Sequence, residues 1–534
     1  MRVLIRQVNG SDAAPWQELL RASLGDDYPD KLVYEPAWAL QQLDPVSGHE
    51  TWVAEDNGRL QASVSFLQPA SQTKNPVLNL GRQLFRPESF LDGSAELLLR
   101  RINELGVERR QMIVVRVLVG DNSQQLLLEK IGYVCAGFQP FKHLFRVRQG
   151  ALFYVWFARP DMVARNPISE SLSQVSELAA AVLDNLRIPN PPAVRDGVTG
   201  YPLQSELQLP EVGYNEFALW RLHAQSSSPP TEISSGYNLG LGLLRTNGEA
   251  QVRAVLGKRN QTVVAGLAYL ADDRDRCVRL VDSFGTDDLS MGALFNHAVK
   301  NAQDHLNAVY IEADILMTAP RLLKSAEQLG FVPVAYLPAF YHNADGHTDV
   351  VKVVKLNMAY SSETGDLTSR ARKIVRIVDQ SFQDQRIGVA IISLLRGLPI
   401  FEGLGDGELR KMARLFMQKL YRPGEKVFDR GAPGHEAFVV MRGQIEIHLE
   451  EKSLPIAAVN SGQIFGELAF LDGSPRTACA VANQASILLV IQRPAFMDIV
   501  QREPHLGMVV MRNIALELSN RLRRTNTAFI AIKK

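Results

Sequence analysis

A chain of 534 residues, 46% hydrophobic and 22% charged, is long enough for about three or four ordinary globular domains. Its formal net charge of +1 argues against strong whole-molecule attraction to nucleic acid or acidic membranes. The cysteines, Cys135, Cys277 and Cys479, are odd in number and far apart, so they suggest no disulfide framework and no zinc spacing, and a reducing cytoplasm is the expected home.

The N-terminus reads as a short strand, Val3-Leu4-Ile5-Arg6, and not as a signal peptide. Residues 12–24 follow as a helix with Asp12 as candidate N-cap. Alternating apolar residues around Asn57-Gly58 predict a hairpin. Residues 94–105 are helical in pattern. Residues 112–119 form a continuous apolar strand of the kind buried on both faces. After Gly120-Asp121-Asn122 comes a helix over 123–130, then Gly132 and a strand over 133–138.

The same order recurs downstream. Strands are predicted over 263–270 and 278–281, a helix over 291–302, a buried strand over 309–314, and a helix over 319–329 ending at Gly330. A strand over 331–336 closes the copy. Glu129-Lys130-Ile131-Gly132-Tyr133 and Glu327-Gln328-Leu329-Gly330-Phe331 occupy equivalent points, as do Gln139-Pro140-Phe141 and Leu337-Pro338-Ala339-Phe340. Two copies of one pattern in series imply an internal duplication. This order, with its helix–Gly–aromatic–strand ending, resembles the GNAT acyltransferase fold over roughly residues 1–150 and 165–358. Residues 225–231, Gln-Ser-Ser-Ser-Pro-Pro-Thr, read as a loop inside the second copy.

The GNAT resemblance implies that an acyl-CoA pyrophosphate lies on the backbone N–H groups of a helix start. In the first copy Gly93, Ser94 and Ala95 are the candidates, but Phe90 stands where the family places Arg or Gln, and Asp92 adds negative charge. In the second copy Asp287 and Asp288 oppose a pyrophosphate. Helix capping by Asp or Ser is the competing explanation of both loops. By the same resemblance Asn122 contacts the cofactor arm; a plain helix cap is its alternative. The family's frequent Tyr acid is missing, with Leu126, Leu127 and Leu128 in one copy and Leu322 and Leu323 in the other. Glu312 and Asp314 are candidate bases of undetermined direction. Positioning an amine against a thioester needs neither acid nor base.

Residues 361–366 read as a domain linker, and a helical stretch over 367–395 follows. Its apolar run, residues 387–395, is too short for a bilayer, which needs about 20 residues. Near the C-terminus stands Phe465-Gly466-Glu467-Leu468-Ala469-Phe470-Leu471-Asp472-Gly473-Ser474-Pro475-Arg476-Thr477-Ala478. Glu467 can accept from a sugar hydroxyl, Arg476 offers a planar fork to phosphate oxygens, and Gly466 and Ala469 let the backbone approach an anion. A surface ion pair on a β-turn is the bland alternative. The stretch closely resembles the phosphate-binding cassette of cyclic nucleotide-binding domains. The flanks agree, with Leu398-Pro399-Ile400-Phe401-Glu402-Gly403-Leu404 as entry segment and Arg422-Pro423-Gly424-Glu425-Lys426-Val427-Phe428 and 438–447 as strands, so the likeness covers roughly residues 398–525.

That resemblance implies a cAMP or cGMP pocket made by Phe465, Gly466, Glu467, Leu468, Ala469, Pro475, Arg476, Thr477 and Ala478. Thr477 fits either nucleotide, or is an ordinary strand residue. Leu518 and Leu522 of the C-terminal helix are candidates to lid the base, or core leucines. The basic tail, Arg521-Leu522-Arg523-Arg524 and Lys533-Lys534, reads as a solvated helix face. Only one helix's worth of residues follows the barrel, against the helix-turn-helix of a transcription factor.

The expected architecture is therefore multidomain, α/β plus β. Two GNAT-like domains (1–150 and 151–360) lead through a helical linker (361–397) to a cyclic nucleotide-binding β-roll with a lid helix (398–534). The expected function is a cyclic-nucleotide-regulated N-acyltransferase using acyl-CoA and an amine or protein-lysine acceptor, with no metal, nucleic acid or membrane. The alternative is a non-enzymatic nucleotide sensor whose GNAT-like domains bind a metabolite or protein.

Overall fold

Asn57 and Gly58 both take positive φ, 51° and 77°, the backbone twist that closes a two-residue hairpin. The strands on either side are β2 and β3 of the computed structural model. The structure describes residues 3–532 except 27, 45–48, 68–76, 110–111, 146, 159–167, 169, 190, 196, 225–231, 234–243, 245–249, 344–345, 364 and 451–453; the side chains of 343, 386–390, 393, 406, 521 and 524–532 are also left out. The loop read at 225–231 and the Lys533-Lys534 end of the basic tail lie outside the described residues. The chain divides into two compact units, Met1–Phe382 and Gln383–Lys534.

In the first unit the strands are β1 (Leu4–Gln7), β2 (His49–Asp56), β3 (Arg59–Leu67), β4 (Val77–Phe85), β5 (Met112–Leu118), β6 (Val134–Leu144) and β7 (Arg148–Phe157). A small parallel pair, β8 (Glu170–Ser171) and β9 (Ala193–Val194), follows. Then come β10 (Glu211–Val212), β11 (Gln251–Arg259), β12 (Thr262–Asp272), β13 (Cys277–Gly285), β14 (Tyr310–Leu316), β15 (Val332–Asn343) and β16 (Gly346–Leu356). One 14-stranded sheet runs β1-β2-β3-β4-β5-β7-β6-β15-β16-β14-β13-β12-β11-β10. Read from either end, the two halves have the same order, with one parallel pair each. Val77 to Leu80 pair with Met112 to Val115, and Cys277 to Leu280 with Tyr310 to Ala313. Residues 1–150 and 151–360 thus supply strands to a single sheet.

Local signals carry over at equivalent points. Helix Ser123–Lys130 ends at Gly132 (φ 96°), with Tyr133 N–H on the Leu128 carbonyl; helix Pro320–Gln328 ends near Gly330 (φ 88°), with Phe331 N–H on the Ala326 carbonyl. Both are the glycine stop that lets a chain leave a helix sharply. Strands β5 and β14 lie in the interior: six of the seven residues of β5 and all seven of β14 are buried, the charged Arg116, Glu312 and Asp314 among them. Asp12 does not cap its helix: its carboxylate pairs bidentately with Arg6 at 2.7 Å, which holds its pKa down. The halves meet where Gly137 of β6 pairs with Ala335 of β15. A Cβ on Gly137 would fall 2.2 Å from that of Ala335, so the close approach requires glycine. Just beyond, Phe141 (φ 53°) and Ala339 (φ 54°) sit in matching breaks of register.

Helix Ser369–Arg396 contains the apolar run expected over 387–395. Among the described residues no helix is long and apolar enough to cross a membrane. The second unit holds β17 (Phe416–Tyr421), β18 (Lys426–Phe428), β19 (Glu436–Arg442), β20 (Gln444–His448), β21 (Ala457–Asn460), β22 (Ile464–Phe465), β23 (Cys479–Ala482) and β24 (Ser486–Gln492). They form two four-stranded sheets, β17-β24-β19-β22 and β18-β23-β20-β21. Phe438, Val440, Ile445, Phe465, Leu488 and Val490 fill the space between them. Phe401, Leu409, Phe470, Phe496, Leu506 and Val510 form a second core that ties the short helices and the C-terminal helix Pro504–Ile532 to the roll.

Candidate functional site

Gly466 leaves β22 in a left-handed conformation (φ 74°) and starts helix Glu467–Asp472. Gly473 (φ 76°) stops that helix, with its N–H on the Ala469 carbonyl at 2.9 Å. Asp472 turns the chain by accepting from Ser474 N–H at 2.9 Å. The return strand is pinned by two backbone bonds, Gly431 N–H to the Arg476 carbonyl (2.7 Å) and Arg476 N–H to the Ala432 carbonyl (2.9 Å). This loop brings Arg476 and Glu467, both buried, to one wall of a cleft of about 410 Å³.

The Arg476 guanidinium is held on three sides. Nη1 donates to the Gly466 carbonyl at 2.8 Å, Nη2 donates to the Glu436 carbonyl at 2.7 Å, and its Cζ lies 4.3 Å from the Phe428 ring centre. Its Nε is buried with no hydrogen-bond partner. Burial lowers its pKa, against the pull of Glu436 and Glu467. Carbonyls neutralise no charge, so the guanidinium keeps a full positive charge in a place sheltered from water. An anionic group in the cleft would meet it at once. The buried orphan Nε and the adjacent carboxylate therefore fit a phosphate joined to a sugar hydroxyl.

Phe465, Gly466, Glu467, Leu468, Ala469, Arg476, Thr477 and Ala478 all line the cleft. Pro475 is exposed and outside its lining. Leu518 packs against the helical core, and Leu522 is 63% exposed; neither lines the cleft, because Glu517 presents that face of the C-terminal helix instead. Ile447, Leu449, Ile456 and Val459 supply an apolar side suited to a flat ring. Four residues were missed by reading the local string. Gly434 lies under Ala469, where a Cβ would come within 2.1 Å of the alanine Cβ. Phe428 and Glu436 hold Arg476 from other strands. The Gly431 to Gly434 turn was the available signal for the first; nothing local marks Glu517.

In the first unit the acyl-CoA candidates are placed differently. Ser94 and Ala95 are fully buried, and the Ser94 N–H is taken by Asp92 Oδ1 at 2.8 Å. Phe90 packs on Phe85, ring centres 5.2 Å apart, which accounts for an aromatic there. Asp287 accepts from Leu289 N–H at 3.0 Å and Ser290 Oγ at 2.7 Å, and pairs with Arg259 at 2.6 Å. A carboxylate of the chain itself thus stands at each of these helix starts and takes an N–H there. Asn122 makes no cap; Asp121 accepts from Ser123 N–H instead, at 3.2 Å. Glu312 is buried against Lys142 (2.8 Å) and Arg279 (2.5 Å); burial opposes its charge, but the surrounding cations hold its carboxyl well below the usual range, so it is no general base. Asp314 is buried against Lys352 at 2.5 Å. No cluster of His, Cys, Asp and Glu suited to a metal occurs among the described residues.

Residues 418–503 match the model of the cyclic nucleotide-binding domain family, and this part of the chain is such a domain. It is 30% identical over 135 residues to the cyclic AMP receptor protein of Thermus thermophilus, covering 25% of this chain and 61% of that one. It is 31% identical over 107 residues to the cAMP-dependent protein kinase regulatory subunit of Aspergillus fumigatus, covering 20% of this chain and 25% of that one. A cGMP-dependent protein kinase of Caenorhabditis briggsae is 30% identical over 125 residues, covering 22% and 17%. The chain spans less than two thirds of the length of each of these relatives.

Proposed function

We propose that the chain is a regulatory protein whose C-terminal roll binds a cyclic nucleotide, cAMP or cGMP. Arg476 would neutralise the phosphate, Glu467 would accept from the ribose 2′-hydroxyl, and the base would lie along Ile447, Leu449 and Ile456 with Glu517 at its edge. The observation that carries this is the buried Arg476 guanidinium, anchored by two carbonyls and left with an unpartnered Nε at the cleft wall. The relatives, which carry cyclic AMP and cGMP in their names, support the ligand class. Arg476→Ala removes the charged partner of a desolvated phosphate. Affinity for cAMP and cGMP should fall by roughly 3 kcal/mol by isothermal titration, about two orders of magnitude. Unchanged affinity refutes the site.

For the first unit the leading reading is a GNAT-type N-acyltransferase that takes an acyl-CoA and an amine or protein lysine, with its activity set by the nucleotide. The repeated strand order and the matched glycine-ended helices support it. A second reading, a nucleotide sensor that binds a metabolite or protein through this unit, is favoured by the carboxylates of Asp92 and Asp287 at the helix starts. Titration of the full chain with acetyl-CoA, with and without cAMP, separates them. Saturable heat that changes with cAMP supports the enzyme; no heat with either acetyl-CoA or longer acyl-CoAs supports the sensor. Either result requires a binding equilibrium coupled to a second conformational state.

A further inference from the structure

The seam between the halves of the first unit buries more positive charge than it balances. Arg116 of β5, Lys142 of β6, Arg279 of β13 and Lys352 of β16 stand against the carboxylates of Glu312 and Asp314 on β14, all at 8% exposure or less. Lys142 and Arg279 both bond Glu312 Oε1, and Lys352 lies 2.5 Å from Asp314 Oδ1 and 4.0 Å from Glu312 Oε2. Gln139 takes the remaining Glu312 oxygen, donating from Nε2 at 3.0 Å. The Glu312 oxygens are thus taken, while both Asp314 oxygens keep no hydrogen bond and face Lys352 as an ion pair only.

Arg116 keeps both Nε and Nη2 without a hydrogen-bond partner. These two atoms form one edge of the guanidinium, the planar fork that receives two oxygens of one carboxylate or phosphate. A guanidinium does not escape by losing its proton at neutral pH. Burial and the charge of Arg279 nonetheless push Arg116 down to about 10.

We infer that this seam is a binding site for a small oxyanion, carboxylate or phosphate, received on the Nε–Nη2 edge of Arg116 and drawn in by the surplus of buried cations. The site is built by both halves: Arg116 and Lys142 come from the first copy, the other two cations from the second. It is separate from the nucleotide cleft and stands whether or not that cleft binds its ligand.

The test is calorimetric titration of the full chain, free of cyclic nucleotide, with inorganic phosphate and with succinate, in chloride at matched ionic strength. Saturable heat from at least one is expected, and the responding arm tells phosphate from carboxylate. Arg116→Lys keeps the charge and removes the fork, so affinity should drop at least about tenfold. If that variant fails to fold, amide exchange of the wild type decides: the better anion should slow exchange in β5 and β14 by about tenfold or more, and leave the roll unchanged. No saturable heat from either anion, equal heat from Arg116→Lys, or unaltered protection of β5 and β14 overturns the inference.

Discussion

Gly434 shows how much of the nucleotide cleft depends on a residue that never faces a ligand. Its missing side chain lets Ala469 and the Ser474 carbonyl close over it, at 2.1 and 2.7 Å from where a Cβ would lie. Those two residues flank the loop that delivers Arg476. Gly434→Val should therefore displace the loop, costing about 1–3 kcal/mol of stability in the roll by denaturant titration, and should weaken cyclic nucleotide binding as well. Loss of stability with binding untouched would mean that the loop and the cleft move independently. At this scale the cassette was legible because Gly466, Glu467 and Arg476 lie within one short stretch whose glycines and small residues have no better explanation. Glu436 and Phe428 were not legible in their roles: a carbonyl and a ring reach Arg476 only after strands have paired, and any residue type offers the carbonyl.

Among elements, the sheet edge formed by β6 is the decisive one. A half-sheet ending in a free strand presents unpaired N–H and C=O groups. Here the first half ends on β6 and the second on β15, and each covers the other through the Gly137–Ala335 approach. Gly137→Val would place atoms 2.2 Å from the Ala335 Cβ and 2.6 Å from the Val334 carbonyl, both on rigid backbone. A loss of about 1–3 kcal/mol is expected in the first unit, read by chemical denaturation, with the nucleotide affinity of the roll unchanged. Element order, the Asn57-Gly58 hairpin and the Gly132 and Gly330 stops were all readable, since each depends on residues within a turn of one another. Asp12, read as a cap, and Asn122, for which a cap was the alternative to a cofactor contact, make no cap for the converse reason. A carboxylate placed near a guanidinium prefers the ion pair, and Asp121 reaches the Ser123 N–H first.

For the whole molecule, buried titrating groups make stability depend on pH in a way that single substitutions can isolate. Burial and the charge of Arg82 lower His49 to about 4, below an unfolded value near 6.5. The unfolded chain then binds more protons between those limits. The stabilisation is complete above about 6.5 and is lost as pH falls toward 4. Glu232, Asp282, Glu363 and Asp379, each raised by burial, act with the opposite sign in the same region. The clean measurement is therefore a difference. His49→Gln should lose about 1–3 kcal/mol less than the wild type between pH 6.5 and 4, judged by denaturation at each pH; parallel pH curves would place His49 in water.

By itself the sequence settled the repeated strand–helix order, the turns and helix stops, and the contiguous loop that carries Glu467 and Arg476. Each of these is governed by dihedral preferences and contacts a few residues apart. Only the tertiary structure decided that the two copies share one sheet, that Glu517 rather than Leu518 or Leu522 of the C-terminal helix borders the cleft, and that the Nε–Nη2 edge of Arg116 enters the interior without a hydrogen-bond partner. Those outcomes depend on which strands pair and in which register, and a buried charge finds or lacks its partner only when segments far apart in the chain have come together.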